Sequence, residues 1–151
     1  MKAKYIETNK NINRGYRKLD VWKEAIELFT IVRKKMKTDK DVPFKIKGQI
    51  QDAVFSVSSN IAEGYCRRSI KENIQFNTIA LASLGESYTQ IFALFNSDDV
   101  SEDWFNEFDS MHYCLENKLV SLNKSFIQKL NLNEKWNNDY QVKEIIEAYN
   151  S

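Results

Sequence analysis

The sequence predicts an all-α protein: an antiparallel, up-down four-helix bundle of left-handed twist that serves as a protomer of a homo-oligomer. Three observations point there. The 151 residues include only four Gly and one Pro, too few for the many tight turns of a sandwich or barrel. Apolar residues recur in three- and four-residue steps along four long stretches. A chain of this length, 42% hydrophobic and 28% charged, suits one core in one globular domain.

Residues 1–18 are polar and lack periodicity. With six Lys or Arg against one acid they read as a flexible basic arm. The bundle is expected over 19–131. Its first helix starts at Asp20, a good N-cap, and runs to about Lys37. Trp22, Ala25, Ile26, Phe29, Val32 and Met36 form the stripe, and Arg33, Lys34, Lys35 and Lys37 crowd the last turn, where cations suit the helix dipole. Thr38 to Phe44, with Pro43, is the connection.

The second helix is expected from about Lys45 to Tyr65. At 100° per residue, Ile46, Ile50, Ala53, Val54, Val57 and Ile61 share one arc. Phe55, Ala62 and Cys66 lie nearly opposite. One bundle can use one apolar face, so the other is a candidate subunit contact.

Ser69 followed by Glu72 is a capping box that starts a third helix, expected to reach Asn96. Its apolar residues, among them Phe76, Leu81, Leu84, Tyr88 and Leu94, span about half the circumference, beyond the ~100° of an ordinary surface helix. Phe55, Ala62, Phe76 and Leu94 are therefore the oligomer-interface candidates. Ser101 caps the fourth helix. Phe105, Phe108, His112, Leu115, Leu119, Leu122, Phe126 and Lys129/Leu130 follow the step of a bundle seam. The Asn-rich tail, 132–151, carries a short helix at Val142–Tyr149.

The search for catalytic chemistry comes back negative. No Gly-rich phosphate loop occurs. His112 is the only histidine and sits on an apolar seam, so it reads as a core residue, not a general base or metal ligand. Cys66 and Cys114 form no CxxC pair and read as reduced packing residues. Asp98-Asp99 and Glu102-Asp103 lie at a turn and a helix start, where acids are favoured anyway. No catalytic residue, metal or cofactor is expected. No run approaches the ~20 apolar residues of a membrane span and the first residues hold no apolar signal core, so the expectation is a cytoplasmic protein without membrane contact.

Charge is uneven. Residues 1–68 hold 16 Lys/Arg against 8 Asp/Glu, while 69–151 hold 6 against 13, a split that suits either a polyanion-binding face or complementary surfaces within an assembly. Interleaved antiparallel helices would cancel much of that field. Arg14, Arg17, Lys18, Arg33, Lys34, Lys35, Lys37, Arg67 and Arg68 are the candidates for nucleic-acid contact, with Tyr5, Tyr16 and Tyr65 interspersed for stacking on bases. The alternative is a protein-binding adaptor that uses the apolar faces and the acidic half.

The stretch Ser56-Val-Ser-Ser-Asn-Ile-Ala-Glu-Gly64-Tyr-Cys-Arg-Arg-Ser69 resembles the signature of the four-helix-bundle family encoded by intervening sequences in 23S rRNA genes. Tyr16-Arg-Lys-Leu-Asp-Val-Trp22-Lys-Glu-Ala25 is similar to that family's start, and Phe76-Asn-Thr-Ile-Ala-Leu-Ala-Ser-Leu-Gly-Glu86 to its third helix. The resemblance covers about Tyr16 to Leu130. It implies a homopentamer without known enzymatic activity, similar to the accessory protein of diversity-generating retroelements, whose basic barrel binds nucleic acid and a reverse transcriptase. The chain departs from the family pattern at Gln51-Asp52, where the family often carries Arg-Arg, and at Ser58, where Pro is usual. Within Asn60, Ile61, Ala62, Glu63 and Gly64 the residues read as structural. Asn60 satisfies a buried partner across the bundle, Glu63 pairs with Arg67 at i+4, and Gly64 admits a close helix approach or ends the helix.

Overall fold

A computed structural model describes residues 10–138. Two short 3-10 turns, Lys10–Asn13 and Gly15–Lys18, precede four helices: α1 (Asp20–Thr38), α2 (Phe44–Tyr65), α3 (Ile70–Asn96) and α4 (Glu102–Asn131). Short connections join consecutive helices, and α1 packs on α2 and α4 while α3 packs on α2 and α4, closing a four-helix bundle. No strand occurs among the described residues. Residues 1–9, Tyr5 among them, and 139–151, with the expected Val142–Tyr149 helix, lie outside the described residues.

The helix ends have local causes. Ser69 accepts from the Glu72 amide and its hydroxyl donates to the Glu72 carboxylate, so the capping box starts α3. Ser101 accepts from the Trp104 amide and starts α4. Asp20 opens α1 as its first residue without capping it, because the cap position belongs to Leu19 and no side chain bonds there. After α4, Asn133 adopts a positive φ of 57°, a conformation asparagine tolerates, and the chain turns back.

The core is built from Val21, Ala25, Leu28, Val32 and Met36 of α1, Ile50, Val54, Val57 and Ile61 of α2, Ala80, Leu84 and Ile91 of α3, and Phe105, Phe108, Leu115 and Leu119 of α4. The stripe of α1 is rotated from the sequence reading. Val21 and Leu28 are buried, whereas Trp22, Ile26 and Phe29 are only half-buried. Among the apolar residues assigned to α3, Leu94 is a core residue, 5% exposed, so it cannot serve as a subunit contact. The inner face of α3 also carries a polar row that apolar periodicity does not register: Asn73, Asn77, Ser83 and Ser87 are all buried. Both amide atoms of Asn77 are buried without a hydrogen-bond partner.

Residues 10–18 depart from the expected flexible arm. Tyr16 packs edge-on against Trp22 at 5.6 Å and against Tyr65 at 6.4 Å, which fastens the second turn to α1 and α2. Beyond α4 a strap folds over the end of α2. Trp136 Nε1 and Asn138 Nδ2 both donate to the Tyr65 carbonyl, at 3.2 and 2.7 Å, and Asn138 also reaches the Arg67 carbonyl at 3.3 Å. These donors satisfy carbonyls that a helix C-terminus leaves without intrahelical partners.

Candidate nucleic-acid interface

The nine basic candidates do not form one surface. Arg33, Lys34, Lys35 and Lys37 lie in the last turns of α1, while Arg14, Arg17 and Lys18 precede it and Arg67 and Arg68 follow α2. Lys18 and Arg33 are separated by most of a helix, roughly 22 Å at 1.5 Å per residue. Because α2 runs back along α1, its C-terminus returns to the end where α1 begins. Arg67 and Arg68 therefore join Arg14, Arg17 and Lys18, and the other four sit at the opposite end.

At the first end the aromatic packing positions the cations. Arg17 lies 4.7 Å over the Tyr16 ring and Arg67 lies 4.6 Å over the Phe76 ring, so each guanidinium is held flat on an aromatic face. Arg67 also donates to Glu63 at 2.6 Å, the i+4 pair read from the sequence. Glu63, Cys66, Arg67, Arg68 and Glu72 surround a depression of about 350 Å³. Tyr65 stacks edge-on with Trp136 at 5.5 Å, and Trp136 with Phe126 at 5.3 Å. Tyr16 and Tyr65 thus commit much of their ring surface to neighbouring aromatics.

At the other end Arg33 donates to Gln51 at 2.7 Å, so one position that departs from the family's Arg-Arg anchors an α1 arginine. Lys35 lies 3.7 Å from Asp39. Phe55, 53% exposed, meets Phe29 at 5.2 Å on the outside of the α1–α2 pair, whereas Ala62 and Phe76 are half-buried.

The signature segment is structural in its contacts. A Cβ on Gly64 would stand 2.8 Å from Phe76 Cβ and 3.1 Å from Asn73 Oδ1, so glycine sets how closely α3 approaches α2. Asn60 Nδ2 donates within its own helix, to the Ser56 carbonyl at 2.8 Å and the Ser56 hydroxyl at 2.9 Å. That hydroxyl then meets Ser83 on α3 at 3.0 Å, so Asn60 reaches across the bundle only through Ser56. Ser58, where the family usually carries Pro, is buried and donates to the Phe55 carbonyl.

His112 is buried between α3 and α4. Its Nε2 lies 2.8 Å from the Leu84 carbonyl, which can only accept, so that nitrogen carries the proton. Neither cysteine is a packing residue, since both are exposed. Although Cys66 is exposed overall, partial burial of its sulfur pushes the thiol up, Arg17 opposes and Glu63 adds to the rise, so the thiol is not activated. Among the described residues no three His, Cys, Asp or Glu side chains are grouped to hold a metal, and no helix is long and apolar enough to cross a membrane.

The 23S rRNA-intervening sequence protein family matches residues 17–121, most of the bundle. The chain belongs to that family. A crystal structure of a protein of unknown function from the S23 ribosomal protein family of Bacteroides thetaiotaomicron VPI-5482 superposes with a TM-score of 0.66 at 19% identity, covering 69% of this chain and 98% of that one. At that identity the likeness shows the shared fold. No curated protein matches.

Proposed function

We propose that this family member is a non-enzymatic cytoplasmic protein that assembles with copies of itself, a homopentamer by family resemblance, and binds RNA or DNA through the basic end of its bundle. The observation that carries the reading is the docking of Tyr16 on Trp22 and Tyr65, which brings Arg14, Arg17 and Lys18 beside Arg67 and Arg68. Five cations at one end suit a polyanion, and displaced counterions supply the driving force. Guanidiniums held flat on rings are preorganised for phosphate oxygens. Tyr16 and Tyr65 are largely taken up by packing, so base stacking contributes little and binding is expected to be independent of sequence.

The test is fluorescence anisotropy with labelled RNA and DNA at about 50 and 200 mM salt, a range over which phosphate contacts weaken strongly. The wild-type chain is expected to bind at the lower salt, and Arg14→Ala/Lys18→Ala/Arg68→Ala to bind at least about tenfold more weakly, since each lost contact removes part of the electrostatic term. No binding at either salt overturns the reading and leaves the adaptor alternative, which the exposed Phe44, at 92%, and Phe55 favour.

A further inference from the structure

The outer face of the α3–α4 pair forms a groove with a regular lining. On α4, Glu102, Asp109 and Glu116 recur every seven residues, and beside them Tyr113, Val120 and Ile127 do the same. A seven-residue repeat keeps each set on one line along a helix. Two contacts show that these lines flank α3. Asp109 lies close enough to Tyr88 to hold its phenol above the ordinary value, and Asn123 Nδ2 reaches Thr78 at 3.4 Å. The facing line on α3 is Thr78, Gly85 and Phe92, again spaced by seven and exposed. Tyr113 is 66% exposed and Phe92 46%, so the groove has apolar walls that the single chain does not cover.

Its charge selects the occupant. Glu102, Asp109 and Glu116 line the groove, and residues 72–117 contain no Lys or Arg. A helix that fills this groove must bring an apolar line flanked by cations, and this chain carries one. On the outside of α1, Trp22, Ile26, Phe29 and Arg33 follow alternating four- and three-residue steps, with Lys34 and Lys37 exposed beside them. The three apolar members are half-buried, with Phe55 next to Phe29. A groove of about 630 Å³ over Trp22 and Ile26, edged by Arg17 and Lys23 as well as by Glu27 and Glu107, leaves room for a large side chain such as Tyr113.

We infer that the outer face of α1 in one copy docks into the acidic α3–α4 groove of a second copy. Two different surfaces meet, so the contact is heterologous and closes into a ring or extends into a filament according to its rotation. The inference rests on the self-assembly half of the proposed function and deepens it by naming the two faces.

The test measures the mass of the full chain by sedimentation equilibrium, with circular dichroism confirming that each variant is helical. Arg33→Glu/Lys34→Glu/Lys37→Glu and Glu102→Lys/Glu116→Lys reverse the charge on opposite sides of the contact. Each alone is expected to associate roughly a hundredfold more weakly than wild type, since like charges brought together cost several kcal/mol. Combining the five changes in one chain restores opposite charges at every contact and is expected to restore the assembly. Variants that keep wild-type mass, or a helical combined variant that stays monomeric, overturn the assignment of these faces. A wild-type chain that is itself monomeric overturns the self-assembly reading along with it.

Discussion

Gly64 shows how far one residue can be read in advance and where the reading stops. Its place on the core arc of α2 is visible from helical spacing alone, and close approach of another helix was one of two roles open to it. The structure selects that role through the 2.8 Å to Phe76 Cβ and the 3.1 Å to Asn73 Oδ1 that an added methyl would meet. Two effects oppose each other in Gly64→Ala. Helix propensity favours alanine by about 1 kcal/mol. Overpacking costs about 1–3 kcal/mol, and the neighbour here is a Cβ fixed to the backbone of α3, which cannot swing away. Overpacking wins, so Gly64→Ala is expected to lower stability by about 1–2 kcal/mol in urea unfolding. Gly48→Ala is the control: a methyl there meets nothing within 4 Å, and stability is expected to rise by about 0.5–1 kcal/mol. The buried Asn77 lies at the illegible extreme. A polar residue on an inner face sends no signal in an apolar pattern.

Among the elements, α2, α3 and α4 have nearly the ends that the sequence indicates, and for α3 and α4 the reason is a local cap: a serine that accepts from the amide three residues on needs no tertiary knowledge. The rotation of α1 was less legible. Trp22, Ile26 and Phe29 fit a helical stripe as well as Val21 and Leu28 do, and only packing decides which line faces inward. The strap after α4 was not legible at all, since Trp136 and Asn138 meet Tyr65 across about seventy residues of sequence. Its role follows from its contacts. Trp136 fills the space between Tyr65 and Phe126 and donates to a terminal carbonyl of α2. Trp136→Ala is expected to cost about 1–3 kcal/mol, less than the 3–5 of a fully buried aromatic because this ring is half-exposed. Hydrogen exchange should quicken first in the last turn of α2, and unchanged protection there would show that the strap does not hold that end.

For the molecule as a whole, the decisive feature is where the charge goes. Antiparallel helices interleave the basic and acidic halves in part, as where Lys118 of α4 pairs with Glu24 of α1 at 2.7 Å, but much of the charge remains separated. Cations gather at the start of α1 with the end of α2 and again at the α1–α2 turn, while carboxylates line the α3–α4 pair. The basic end and the α1–α3/α4 contact are different surfaces with different physics, and salt should separate them. If each of the five cations at the basic end neutralises one duplex phosphate, log K falls with log salt at a slope of about −4.5. Between about 50 and 200 mM salt the affinity for duplex DNA is then expected to drop roughly 500-fold. The contact between copies combines burial of Trp22, Ile26 and Phe29, which salt does not screen, with opposite charges beside them, which it does. Sedimentation over the same range is therefore expected to show association weakening far less than the anisotropy signal. If the two fall by the same factor, assembly and binding share one electrostatic surface and the separation of the two ends is wrong.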